Sequence, residues 1–237
     1  MEHAMYTNLL TRKFWRTAWL LGFCLYAIAL LYVYGADHTF SAMSLSKALA
    51  ATGGLLIGFS FALSGFAYYF NFLDTKVAYR KYLGLVGFWF ALAYTLSLFF
   101  VDPDKYFFGL FHNLLTADVL LGLGAMLILT FMALISRTRA MQWLGPPRWR
   151  KLLRLGYLAY AMLVVRAVVV EWDVWTAWAE NPAGRLPPPR LVLSIFAVGI
   201  LLFRGSMIVS QFFRKKNTVA AVVPPQQQLS TQEKTPK

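Results

Sequence analysis

The sequence predicts an all-α integral membrane protein, a bundle of six transmembrane helices with both termini on the cytoplasmic side. Three observations carry that prediction. Of the 237 residues, 59% are hydrophobic and only 14% charged, against roughly 25% charged in ordinary globular domains. The mean hydropathy is +0.54, and the apolar residues fall in long runs rather than in amphipathic stripes. The basic residues gather in every second interval between those runs.

Each run is long enough for the roughly 20 helical residues that cross a hydrocarbon core. They cover residues 14–34, 47–70, 82–101, 114–136, 152–172 and 191–213. Their all-round apolarity fits helices; barrel strands would be shorter and alternate. No apolar stretch ending in small residues precedes the first run, so that run is expected to be a retained anchor. Arg12, Lys13 and Arg16 precede it, and Lys76, Arg80 and Lys81 separate the second and third runs. Arg137, Arg139, Arg148, Arg150 and Lys151 separate the fourth and fifth, and Arg214, Lys215 and Lys216 follow the sixth. The other intervals hold Lys47, Lys105, Arg185 and Arg190 among the acids Asp37, Asp102, Asp104, Glu171, Asp173 and Glu180. The positive-inside rule then puts both termini in the cytoplasm.

The net charge of +13 is therefore topological. It implies a lipid bilayer as partner and no nucleic acid. Residues 1–13 form a cytoplasmic N-terminus, residues 14–213 the helical domain, and residues 214–237 a disordered tail containing Pro224-Pro225 and Gln226-Gln227-Gln228. No soluble domain remains to bind a nucleotide. The single Cys24 excludes a disulfide framework and a cysteine-ligated cluster.

Small residues at Gly54, Gly58 and Ala62, and Asp118, Gly122 and Ala125 on the fourth run, make faces for close helix approach within the bundle. Seven of the tryptophans, Trp172 among them, lie near run ends as interfacial anchors. No run is broken at mid-depth apart from Gly53-Gly54, which argues against a transporter.

Charges inside the runs are costly and mark sites or pairings. Arg154 and Arg204 lie toward the cytoplasmic side and can snorkel. Arg166 and Asp118 have opposite charge and lie at similar depth toward the other side, and Tyr94 reaches the same level. We expect Arg166 and Asp118 to face the interior and interact. Two readings of Tyr94, Asp118 and Arg166 follow: an ion pair that only fixes packing, or a polar pocket for an anionic or quinone-like group. His38 and His112 lie near Asp37, Asp102 and Asp104, but no ligand spacing supports a metal site.

Arg80-Lys81-Tyr82-Leu83-Gly84-Leu85, together with Ser136 to Gln142, Leu144-Gly145, Arg148-Trp149, Leu152 and Tyr157, resembles the ferric reductase-like transmembrane family. The likeness is to its haem-binding membrane subunits that serve bacterial periplasmic methionine sulfoxide reductase, and it covers roughly residues 45–172. It implies a six-helix bundle in a bacterial-type inner membrane, electron transfer through haem b, and a membrane or periplasmic redox partner. The family's three haem-ligand histidine positions fall on Tyr94, Leu153 and Arg166. A leucine cannot ligate iron, and an arginine has no lone pair to give. The resemblance thus implies a protein without haem, acting as an accessory or assembly subunit or holding a lipid-like or quinone-like ligand. The alternative it leaves open is an electron-transfer subunit using a Tyr94-ligated haem or a flavin, whose FMN phosphate would lie on Arg80 and Lys81.

Overall fold

The computed structural model describes residues 2–69, 78–136, 138–182 and 186–221. It is all-helical among those residues. Six helices are long and apolar enough to cross a membrane: α1 (Glu2–Asp37), α2 (Ala42–Tyr69), α3 (Tyr79–Val101), α5 (Ala117–Ile135), α8 (Leu155–Glu180) and α9 (Pro189–Ala221). Short helices α4 (Leu110–Asn113), α6 (Thr138–Leu144) and α7 (Pro146–Leu152) lie in the connections. The protein is a six-span membrane bundle. Its outer surface says the same as its length: Leu20, Phe23, Ile28, Leu31, Leu127 and Leu202 are exposed, a hydrocarbon face that water would not tolerate.

The six crossings leave a basic end, with Arg12, Arg16, Lys81, Arg148 and Lys151, and an acidic end, with Asp37, Asp102, Asp104, Asp173 and Glu180. Helix α2 is the central element, packing on α1, α3 and α9, while α5 packs chiefly on α8. Its small residues explain the fit. A Cβ on Gly53 would stand 3.0 Å from the backbone nitrogen of Ala91, and one on Gly87 would stand 3.0 Å from that of Ile57. So α2 and α3 touch backbone to backbone, and Gly53-Gly54 marks a contact rather than a break. Gly58 makes room for Tyr160, whose hydroxyl would lie 2.5 Å from a Cβ there.

Tyr160 is 2% exposed and donates to the Gly54 carbonyl at 2.9 Å. With Ile57, Phe61, Ala125 and Leu129 it forms the dry centre of the bundle. Tyr160→Phe removes this hydrogen bond without opening a cavity. It is expected to cost about 0.6 kcal/mol, and up to about 1.7 kcal/mol if the Gly54 carbonyl finds no other donor. Unfolding of the purified protein by a denaturing detergent measures it.

Several helix ends depart from those expected. The fourth span begins at Ala117, not at residue 114, because Thr116 accepts extended backbone angles and its N–H closes a turn onto the Asn113 carbonyl at 2.9 Å. The fifth span begins at Leu155, so Leu153 lies in the turn that ends α7 and not on the span. Two prolines open α7 behind Gly145, whose φ of 74° needs a residue without a Cβ. The same span runs on to Glu180 instead of stopping at residue 172, through a kink at Glu171 (φ −122°, ψ 16°). There Glu171 takes Arg190 at 3.0 Å and the Trp175 indole at 3.2 Å, side-chain bonds that hold the distorted turn. Helix α9 continues to Ala221, so residues 214–221 are helical rather than disordered. The remainder of the expected tail, residues 222–237, lies outside the described residues, as do Lys76, between the second and third spans, and Arg185.

Candidate functional site

At the acidic end the chain brings Tyr94 of α3, Asp118 of α5 and Arg166 of α8 to one point. Asp118 sits in the first turn of α5 and is 9% exposed. That position favours a carboxylate, since unpaired backbone N–H groups give a helix start positive character. Arg166 Nε donates to Asp118 Oδ1 at 2.8 Å and to the Asp118 carbonyl at 3.0 Å. Its Nη1 donates to the Tyr94 hydroxyl at 3.4 Å. The missing Cβ of Gly122 is what lets this guanidinium lie against α5: a methyl there would stand 3.0 Å from Arg166 Nε.

Two further partners were not legible as site residues. After α3 the chain turns through Asp102, makes a π-helical turn over Asp104–Phe108, and folds back over the bundle. Lys105 Nζ then donates to Asp118 Oδ2 at 2.6 Å, and the Tyr106 hydroxyl donates to the same oxygen at 3.0 Å. The Asp118 hydrogen bond raises the pKa of Lys105 above the ordinary lysine value. Partial burial, and then the negative charge of Asp118, push the Tyr106 phenol up. Both groups are therefore fixed at neutral pH as an ammonium and a neutral phenol.

One carboxylate thus neutralises only one of two cations. The cluster keeps a positive charge beside a cavity of about 180 Å³. The cavity is lined mainly by apolar residues such as Ala91, Leu98, Met126, Leu163 and Val170, with Tyr94, Tyr106, Asp118, Arg166 and Arg190 as its polar wall. That volume is many times what one ordered water needs. The arrangement can bind a small electron-rich group, with guanidinium and phenol as donors and an apolar slot for the body attached to it.

A second cavity, of about 630 Å³, opens at the basic end. Arg80, Lys81, Arg154 and Arg204 line it together with Tyr157, Ser136, Leu153 and the apolar faces of Phe14, Leu85, Phe88 and Met132. Ser60 donates to the Arg80 carbonyl at 2.8 Å and fixes the start of α3 against α2. The Trp149 indole donates to the Ile135 carbonyl at 2.9 Å and holds α7 at the mouth. Arg204 lies over the Tyr157 ring at 5.3 Å.

The three positions aligned with haem ligands are therefore not brought together. Tyr94 and Arg166 line the acidic-end cavity, Leu153 the basic-end one, and Ile57, Leu129 and Tyr160 stand between. These residues do not fit a haem: Leu153 and Arg166 offer no lone pair, and the Tyr94 hydroxyl faces an arginine engaged with Asp118. His38 ends α1 in the left-handed conformation with φ 53°, and His112 is exposed on α4. Among the described residues no group of three or more His, Cys, Asp or Glu side chains could hold a metal ion. Comparison with protein-family models finds no match, and comparison with curated proteins finds none.

Proposed function

We propose that this chain is a six-span membrane protein of the ferric reductase-like arrangement without haem ligation, inserted in a bacterial-type inner membrane with both termini cytoplasmic. It works as an accessory or assembly subunit of a membrane complex that includes another membrane or periplasmic redox protein. In that role it holds the polar head of a lipid-like or quinone-like molecule at Tyr94, Asp118 and Arg166. The observation that carries the reading is the uncancelled positive charge of Lys105, Asp118 and Arg166 beside an apolar cavity of about 180 Å³. A pair serving packing alone needs neither the second cation nor the empty space. A quinone carbonyl accepts hydrogen bonds from both a guanidinium and a phenol, and its ring and tail need the apolar wall.

Decylubiquinone is the probe. Its binding to protein in neutral detergent is read by quenching of tryptophan fluorescence. Tyr94→Phe removes one donor and keeps the ring, so affinity is expected to fall about tenfold, the equivalent of one hydrogen bond of about 1.4 kcal/mol. Unchanged affinity, or no binding by the unaltered protein, overturns the reading. A Soret band at one haem per chain in the same preparation overturns it in favour of an electron-transfer subunit.

A further inference from the structure

The two ends of the bundle treat their cations differently. At the acidic end both arginines that line the cavity are ion-paired: Arg166 with Asp118, which also takes Lys105, and Arg190 with Glu171. At the basic end Arg80, Lys81, Arg154 and Arg204 line one cavity, and among the described residues no carboxylate lines it with them. None of the four is in an ion pair among the described residues. The positive-inside rule accounts for Lys81 and Arg154, which are exposed at the surface. It covers the position of Arg80 in the chain but not the burial of Arg80 and Arg204, which are half-buried on α3 and α9 and border the same internal space. Like charges sharing a partly dry cavity repel unless an anion lies between them.

The phenol is the second observation. The Tyr157 hydroxyl is buried without a hydrogen-bond partner among the described residues, although it borders the same cavity. Buried polar groups are nearly always satisfied, so an orphan beside an open space points to a missing acceptor. Apart from Ser60 and Ser136, the rest of the wall is mainly apolar and aromatic, from Phe14 through Phe88 to Met132.

We propose that the basic-end cavity binds the phosphate group of an anionic amphiphile, with Arg80 and Arg204 as its charge partners and the Tyr157 hydroxyl as a neutral donor. Guanidinium pairs suit phosphate because their N–H groups match its oxygens. The apolar wall takes the attached hydrocarbon. This site is distinct from the one at Tyr94: among the described residues the two cavities have only Ile57 and Leu129 in common, and no polar side chain.

Native mass spectrometry of the full chain in neutral detergent tests it, with phosphatidylglycerol and phosphatidylcholine of equal acyl length as probes. Phosphatidylglycerol is expected to be retained about tenfold more than phosphatidylcholine. The double change Arg80→Gln with Arg204→Gln should abolish the preference. Tyr157→Phe, which leaves the ring packing on Phe61, should weaken it several-fold and serves if the double variant does not fold. Arg148→Gln, exposed at the same end but outside the cavity, should leave it unchanged. Equal retention of the two lipids overturns the proposal, as does an equal loss in Arg148→Gln, which would mark diffuse surface attraction. Displacement of phosphatidylglycerol by equimolar inorganic phosphate would show that a free anion suffices and would overturn the amphiphile as ligand.

Discussion

Replacing Asp118 by asparagine is expected to destabilise the bundle by about 3 kcal/mol, more than replacing Arg166 by leucine, expected to cost about 2 kcal/mol. The asymmetry follows from who is left behind. Without the carboxylate, Arg166 stays a permanent cation with 13% of its side chain exposed, and among the described residues no other acid lies within ion-pair distance of it. Lys105, with 39% of its side chain exposed, can turn to water. Without Arg166, by contrast, Asp118 still holds Lys105 at 2.6 Å and Tyr106 at 3.0 Å. The double variant should therefore be more stable than Asp118→Asn alone, because no charge is stranded in a dry interior. Unfolding free energies in mixed detergent for the four species give the coupling. Additive losses, or a larger loss for Arg166→Leu, would mean that the two side chains do not depend on one another.

How far this cluster could be read from sequence depends on which residue is considered. Arg166 and Asp118 announce themselves by cost: an ionisable group in an apolar run demands a partner, and depth selects that partner. Lys105 and Tyr106 carry no such signal. They lie in the interval after the third span among Asp102, Pro103 and Asp104, where a lysine looks like one more solvated loop charge. Only the π-helical turn over Asp104–Phe108 returns them to the bundle, and no periodicity encodes that turn. The spans themselves were legible because length and apolarity fix them, as residues 82–101 against α3 illustrate. Their ends were not, where a distortion such as the kink at Glu171 carries a helix onward, or where two prolines start a new helix just before a span. That second effect puts Leu153 at the end of α7, off the fifth span that carries Arg166.

Between the two packed spans α2 and α3, a single methyl group at Gly87 is expected to have a large effect. A Cβ there would stand 2.9 Å from Ile57 Cγ1, 3.0 Å from Leu56 Cβ and 3.0 Å from the Ile57 backbone nitrogen. A side chain can rotate away; a backbone nitrogen in a helix cannot, so α2 and α3 must separate. Gly87→Ala is expected to cost about 1–3 kcal/mol by overpacking, even though alanine is the better helix former. Gly87→Leu should prevent the two helices from docking and lower the yield of folded protein sharply. Gly199→Ala is the control: nothing lies within 4 Å of its would-be Cβ on α9, so that variant should be neutral or gain up to about 1 kcal/mol. The strain at Gly87 also reaches the candidate site. Tyr94 lies about two turns further along α3 and meets Arg166 at 3.4 Å, the longest contact in the cluster. Moving α3 outward breaks that contact first, so folded Gly87→Ala should lose decylubiquinone affinity about as much as Tyr94→Phe. A folded Gly87→Ala protein that binds the probe normally would show that the third helix contributes nothing to the pocket.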